Sequence, residues 1–266
     1  MLHWAAHPFK MILFNSDLDN TIIYSYKHNI GSPKRCVEIY QGKEASFITE
    51  KTYQLLQKVR SRVLMIPTTT RTVEQYNRID LGTGSFPYAL ICNGGVLLVE
   101  GREDREWYQE SLSLVAPARK VMEQAAVILE GDKNRSLELR DIQGLFLFTK
   151  SSVPEEIVCT LKEELDLSKV DVFHNGVKVY VLPKELNKGR AVRRLQERLG
   201  GEMVIAAGDS EFDVSMLDYA DYAIAPESLA YRGHEGKKVL IVEEEVLFSE
   251  KVLEAVLQIE IQKGWE

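Results

Sequence analysis

The chain is poor in cysteine, has no long apolar run and no block of basic residues, and each lack removes a class of protein. Cys36, Cys92 and Cys159 are few, odd in number and far apart. Neither a disulfide framework nor a zinc site fits that spacing, whereas a reducing cytoplasm does. No segment approaches the length of a membrane span. Lysine and arginine number 33 against 40 aspartates and glutamates, a formal charge of −7, and no basic stretch is interleaved with aromatics. A nucleic-acid groove and a membrane surface are therefore disfavoured as partners, while a local basic pocket for a small anion stays compatible. Internal repeats and low-complexity tracts are absent too. Met1 to Lys10 lacks a positive region followed by a long apolar stretch, which reads against a secretory signal. Residues 1–10 are read as an extension outside the fold or as a product of start-site choice. Oligomeric state has no signature in the sequence.

What is present alternates between strand and helix. With 266 residues, 45% of them apolar and 27% charged, the chain can form one elaborate domain or a core plus a smaller domain. Met11–Phe14 is a short continuous apolar run of the kind buried on both faces of a parallel sheet. A polar loop is expected from about Tyr24 to Ser46. Thr49 then caps a helix bearing Tyr53, Leu55, Leu56 and Val59 on one face. Val63–Ile66 reads as a second strand stopped by Pro67, Thr72–Ile79 as a helix, and Ala89–Cys92 as a third strand ending in the turn Asn93-Gly94-Gly95.

The rhythm then changes. Val96–Val99 reads as a strand, Pro117–Leu129 and Pro154–Leu165 as helices. Two hairpins are expected, one turning at Gln143-Gly144 and one at Asn175-Gly176. Alternation returns with helix Lys188–Leu199, strand Met203–Ala207, helix Phe212–Leu217, strands Tyr222–Ile224 and Val239–Val242, and a last helix from about Ser249. The expected architecture is α/β: a Rossmann-like, doubly wound parallel-sheet core with an inserted α+β domain of roughly 85 residues. The core would comprise residues 11–97 and 183–266, and the insert residues 98–182.

Four polar segments fall at strand ends or helix starts, where open parallel sheets bind their ligands. They are Asp17-Leu18-Asp19-Asn20-Thr21, Thr68-Thr69-Thr70-Arg71, Lys188, and Gly208-Asp209-Ser210-Glu211-Phe212-Asp213. Taken singly each has an ordinary reading: a solvated turn, a helix cap, a surface lysine, first-turn acids. Lys188 is the least ordinary, because a cation at a helix start opposes the macrodipole. Taken together they meet the demands of phosphoryl transfer. A carboxylate nucleophile needs a cation beside it to offset repulsion from a phosphoester, and Mg²⁺, hard and oxygen-seeking, suits that task. Lys and Thr side chains can hold further phosphoryl oxygens, and a second carboxylate can protonate the leaving alcohol.

With these four motifs in this order, the chain resembles the haloacid dehalogenase superfamily of phosphohydrolases. The insert between the second and third motifs, the Asn93-Gly94-Gly95 turn and Leu186-Asn187-Lys188-Gly189 are similar to its Cof-like branch, which includes sucrose-phosphate phosphatases. The resemblance implies that Asp17 attacks phosphorus and becomes an aspartyl phosphate, and that Asp19 serves as general acid and then base. It implies that Asp17, the Asp19 carbonyl and Asp209 bind Mg²⁺, with Asp213 supporting the metal and Lys188. Thr69 and Lys188 would hold the phosphoryl group. Two positions depart from the family pattern: Phe212 stands where Asn is frequent, and Thr70 where Gly is.

The implied activity is Mg²⁺-dependent hydrolysis of a small phosphorylated metabolite, a sugar phosphate or phosphorylated organic acid. The alternatives are a phosphomutase or phosphotransferase on the same scaffold and a non-catalytic metal-binding regulatory protein. Thr70, Arg71, Asn93, His174 and Lys178 are the candidate substrate contacts. Arg71 would either reach an anionic substrate group or pair with an acid such as Glu74. Tyr24, Tyr26, Lys27 and His28 are candidates to line the entrance.

Overall fold

The computed structural model of the chain describes residues 11–263; the proposed extension, residues 1–10, lies outside the described residues. Among these, the chain divides into two compact units, residues 11–94, 98–102 and 188–263 in the first and 95–97 and 103–187 in the second.

The first unit is built on a parallel sheet ordered Lys238–Val242, Tyr222–Pro226, Met203–Ala207, Ile12–Ser16, Leu64–Pro67. Ile12–Ser16 and Met203–Ala207 are buried along their whole length, as unalternating strands at the centre of a parallel sheet must be. The first strand runs two residues past Phe14, and the side-chain donors at its polar end are paired locally. Asn15 Nδ2 donates to Thr68 Oγ1 at 3.0 Å and Ser16 Oγ to the Asp17 carbonyl at 2.8 Å.

Helices flank the sheet. Ile12, Phe14, Met65 and Ile205 pack with Leu55, Leu56 and Val59 of helix Glu50–Arg60 and with Val252, Leu253 and Val256 of helix Phe248–Lys263. Each such side chain, fully buried, contributes about 1.5–3 kcal/mol. Thr49 caps the first of these helices as expected, accepting from Thr52 N at 2.9 Å. Helices Lys188–Leu199 and Glu211–Tyr219 approach so closely that a Cβ on Gly189 would lie 2.1 Å from the Ser215 carbonyl oxygen.

Two expectations for this unit fail. The segment Tyr24–Ser46 is not a loop. Strands Tyr24–Ser25, Lys34–Tyr40 and Lys43–Thr49 form an antiparallel sheet, turning at Gln41-Gly42 with φ of 49° and 73°. Its edge strand Lys34–Tyr40 buries only Val37 and Glu38, so the usual apolar alternation is masked by a carboxylate on the buried side. Nor does a helix span Thr72–Ile79. Thr72 caps a single turn, Val73–Tyr76. The chain is then drawn onto the hairpin, where Asp80 N donates to the Val37 carbonyl at 2.9 Å and Ile79 pairs with Glu38.

The second unit holds an antiparallel sheet ordered Val170–Asn175, Lys178–Pro183, Phe146–Ser151, Arg135–Ile142. Leu147, Val172, Val179 and Val181 pack against Ala125 and Leu129 of helix Arg119–Gly131 and Val158 and Leu161 of helix Pro154–Glu164. Gln143, Gly144 and Gly176 take positive φ where the two hairpins turn. Two helices stand where one was expected: Arg105–Val115 precedes Arg119–Gly131, joined through the 3₁₀ turn Ala116–Ala118.

Candidate active site

The sheet register delivers the acidic motifs to one place. Ser16 pairs with Ala207 and, on the other side, with Pro67, so the residues following all three strands emerge together at their carboxyl ends. Asp17 N donates to the Ala207 carbonyl at 2.9 Å and Thr68 N to the Ser16 carbonyl at 2.7 Å, which fixes those exits. Past Asp17 the chain folds back on itself. Asn20 takes φ 56°, and Thr21, Ile22 and Ile23 donate to the Leu18 carbonyl.

Lys188 sits between two carboxylates. Its Nζ donates to Asp17 Oδ1 at 2.7 Å and to Asp213 Oδ1 at 2.6 Å, and its side chain is only 1% exposed. This explains a cation at a helix start: two buried anions outweigh the adverse dipole. Among the described residues no donor reaches Asp17 Oδ2, which leaves that oxygen for chemistry. Asp213 turns its other oxygen to the loop before it, accepting from Asp209 N at 3.1 Å, Ser210 N at 3.0 Å and Ser210 Oγ at 2.8 Å. Asp209 is held in turn by Thr21 Oγ1 at 3.1 Å and Asn20 Nδ2 at 3.3 Å.

Gly208 is required for this packing, since a Cβ there would lie 2.3 Å from both Cβ and Cγ of Asp213. Gly208→Ala is expected to cost about 1–3 kcal/mol through overpacking, lowering the melting temperature by roughly 2–12 °C. An unchanged melting curve would mean that the Asp213 side chain has room to move.

Burial most of all, then the carboxylates of Asp213, Asp209 and Asp19, push the Asp17 carboxyl well above its ordinary range, against the pull of Lys188. Asp209 is pushed up to about 6 by burial and by Asp213. For Lys188 burial disfavours the charge, but Asp17 and Asp213 more than offset it and the ammonium is held above its usual value. The cluster thus carries more negative charge than one ammonium balances. Oxygens of Asp17, Asp209 and Asp213 lie within 4.8 Å of one another. Three carboxylates against one ammonium leave two negative charges, and a hard divalent cation fits both the charge and the all-oxygen donor set.

The second motif lies beside them. Thr69, fully buried, donates its N–H to the Leu90 carbonyl at 2.8 Å, and its Oγ1 accepts from Arg71 N at 3.2 Å. Asn93, with φ 57°, donates its N–H to the Thr69 carbonyl at 3.0 Å, and Cys92 N donates to the Arg71 carbonyl at 2.8 Å. The turn at Asn93 therefore clamps the loop that carries Thr69, partly exposed Thr70 and Arg71.

Arg71 pairs with acids, but not with Glu74. Its Nε and Nη2 donate to Asp19 Oδ2 and Oδ1, both at 2.7 Å. Nη1 and Nη2 donate to Glu38 Oε1 and Oε2 at 2.9 and 3.0 Å, and Nη1 also to the Gln75 carbonyl at 3.2 Å. All five guanidinium N–H groups are thereby used. Glu74 pairs instead with Arg78 at 3.7 Å.

The other candidates are spread out. Tyr24 turns inward, its hydroxyl accepting from Ser249 N at 2.9 Å, whereas Tyr26 is exposed. Phe212 occupies the first turn of helix Glu211–Tyr219, partly exposed. His174 and Lys178 belong to the second unit, on its Val170–Asn175 and Lys178–Pro183 hairpin, with His174 Nδ1 3.2 Å from the Gly176 carbonyl. Residue-by-residue reading of the sequence missed Glu38 and the Asn20, Thr21 and Ser210 contacts. Only the last had a usable signal, the Ser210-x-x-Asp213 spacing of a capping box.

The fold is thus a parallel α/β sheet with a lysine-bridged carboxylate cluster at its carboxyl edge. The chain belongs to the haloacid dehalogenase-like hydrolases, the family matched by residues 89–228. It is similar to phosphoglycolate phosphatase of Sulfurisphaera tokodaii, with 27% identity over 190 residues that cover 69% of this chain and 74% of that protein. Phosphoglycolate phosphatase of Methanothermobacter thermautotrophicus is 29% identical over 93 residues, 34% of this chain and 41% of that one. The fold matches the sucrose-phosphatase of Synechocystis sp. PCC6803, solved with sucrose and phosphate, with a TM-score of 0.62 and 16% identity over 95% of this chain and 98% of that one. A sugar phosphatase of subclass IIB of the superfamily matches with a TM-score of 0.58 and 13% identity over 94% and 99%. The expected Cof-like phosphohydrolase resemblance stands with these relatives.

Proposed function

We propose that the chain hydrolyses a small phosphomonoester through an aspartyl-phosphate intermediate on Asp17. The observation that carries this reading is the Asp17–Lys188–Asp213 arrangement, which occupies one oxygen of Asp17 and leaves the other for attack. In the first step Asp17 Oδ2 bonds to phosphorus as the bond to the leaving oxygen breaks, and Asp19 delivers a proton to that oxygen. In the second, Asp19 takes a proton from water, the water oxygen bonds to phosphorus, and the Asp17 carboxylate is regenerated as phosphate departs. Lys188 and Thr69 bind phosphoryl oxygens as charge spreads.

Asp17, the Asp19 carbonyl and Asp209 would hold Mg²⁺, with Asp213 in support. When bound, it offsets the repulsion between the Asp17 carboxylate and the phosphoester. Thr70, Asn93, His174 and Lys178 remain proposed contacts to the substrate. The relatives are named for phosphoglycolate and for sugar phosphates, so the proposed substrate class is a phosphorylated small organic acid or sugar. A reducing cytoplasm is the proposed setting, in keeping with Cys36 and Cys159 standing as thiols. Among the described residues no helix is long and apolar enough to cross a membrane.

Phosphate release from a panel containing 2-phosphoglycolate and hexose phosphates, with Mg²⁺ or with chelator, tests the reading. Release from at least one member, abolished by chelator, is expected. Transfer of the phosphoryl group to an acceptor hydroxyl without free phosphate would replace hydrolysis by phosphotransfer.

The cation reading carries its own pH signature. The folded-state pKa of Asp209, about 6, lies above its ordinary 3.8. Its contribution to stability is therefore fully present below about pH 4 and lost as pH rises through about 6. Metal-free protein should melt at progressively lower temperature between pH 5 and pH 8, and Asp209→Asn should flatten that slope. Mg²⁺ should raise the melting temperature more at pH 8 than at pH 5. A Mg²⁺ shift that is absent, or equal at both pH values, would count against a cation at this cluster.

A further inference from the structure

Four charged side chains are buried among the described residues: Asp17, Lys188, Asp213 and Glu38. Burying a charge is costly unless it is paired and hydrogen-bonded, so each calls for an explanation. The first three form the lysine-bridged cluster. Glu38 belongs to none of the four motifs, and it lies on the hairpin that the sequence presents as a polar loop.

Its surroundings point one way. Lys34–Tyr40 departs from regular register on both sides of Glu38, an irregularity of the kind that re-aims a side chain. The Glu38 carboxylate accepts from Ser46 Oγ across the hairpin at 2.7 Å and from Arg78 Nε at 3.2 Å. It also takes the two-bond fork of Arg71, whose opposite fork grips Asp19. Asp19 itself is half-exposed, with 48% of its side chain accessible. A water-accessible carboxylate on a tight turn has little of its own to hold its orientation. Arg71 holds both of its oxygens, and Glu38 holds Arg71.

We propose that Glu38 is a positioning residue of the hydrolytic reaction, acting through Arg71 to orient the Asp19 carboxylate. The inference rests on the acid–base reading of Asp19 given above. Glu38 touches neither substrate nor reacting atoms. It fixes the guanidinium plane from behind, so that Asp19 is presented to the leaving oxygen in one orientation, and it keeps all five Arg71 donors engaged and away from the phosphoryl group. Hairpin, second-motif loop and the turn after it are thereby tied to the proton-transfer step.

The test uses the full chain with Mg²⁺ and two phosphoesters, p-nitrophenyl phosphate, whose leaving group needs no proton, and an alkyl phosphate, whose leaving group does. Glu38→Gln is expected to lower kcat on the alkyl phosphate by about tenfold or more, with KM within about twofold and kcat on p-nitrophenyl phosphate within about threefold. Ser46→Ala, a milder change that keeps the charge, should show the same split to a smaller degree. In an Asp19→Asn background, Glu38→Gln should have no further effect on the alkyl substrate. Equal losses on both substrates, no loss on either, or additive losses in the double variant would overturn the proposal and leave Glu38 a purely structural residue. If Asp19→Asn itself shows no split, the acid role of Asp19 falls. If Asp19→Asn shows the split and neither Glu38→Gln nor Ser46→Ala does, the role of Glu38 alone falls.

Discussion

Asp17→Asn should abolish turnover, lowering kcat by at least about three orders of magnitude, as expected when a nucleophile is replaced by a poor one. The protein should remain folded. The substitution keeps the shape of the side chain and removes one of three crowded carboxylates, while Lys188 retains Asp213 as its partner at 2.6 Å. Loss of activity without loss of melting temperature is therefore the expected pair of results. It separates a chemical role from a structural one. Residual activity above about a thousandth of the parent would place the nucleophile elsewhere.

Lys188→Met should have the largest effect on stability. The ammonium is 1% exposed and is the cation between Asp17 and Asp213. Breaking a buried ion pair by removing one partner costs about 3–5 kcal/mol, equivalent to a fall of roughly 6–20 °C in melting temperature for a chain of this size. The loss should depend on pH in a definite sense. Without the ammonium, the Asp17 carboxyl, already raised by burial, is pushed further up. A group whose folded pKa is raised loses its stabilising contribution as pH rises through that value, so the deficit should be greater at pH 8 than at pH 5. Mg²⁺ should return part of it. A melting temperature within a degree or two of the parent at pH 8 would show that the pair is not closed off from water.

The two predictions fall on residues that could be read from the sequence, and there is a physical reason. Asp17, Lys188 and Asp209 each sit directly beside a regular element whose residues identify themselves. Lys188–Leu199 and Met203–Ala207 match the expected bounds to the residue, and the expected strand Met11–Phe14 overlaps Ile12–Ser16. The order of carboxyl-end exits in a parallel sheet then brings the acids together without further information. Hairpin Lys34–Thr49 lacked such a signal, because its buried side includes Glu38, Ser46 and Thr49 and reads as polar. Helix Arg105–Val115 was lost for a similar reason. Its buried stripe is Trp107, Ser111 and Val115, narrow and interrupted by a serine, although Asp104 caps it by accepting from Trp107 N at 2.9 Å.

Arg71 shows where sequence reading stops. Its partner Asp19 is 52 residues away and Glu38 is 33. The choice of these over Glu74, three positions along the chain, depends on the bulged register of a hairpin that the residue pattern conceals. Once the hairpin is in place, burial opposes the charge of Glu38, yet the hydrogen bonds of Arg71, Ser46 and Arg78 outweigh it and hold the carboxyl down at about 2. Glu38 therefore stays ionised across the working pH range, and the charge balance around Arg71 does not change with it.

Covalent capture of the intermediate is the most direct test of the central claim. Protein turning over a phosphoester with Mg²⁺ is quenched in acid, reduced with borohydride and digested with trypsin. Fragmentation of the peptide Met11–Lys27 then locates the reduced residue. Conversion at Asp17, absent without substrate, is expected. Conversion at Asp19 or any other carboxylate, or none in protein shown to be turning over, would contradict it.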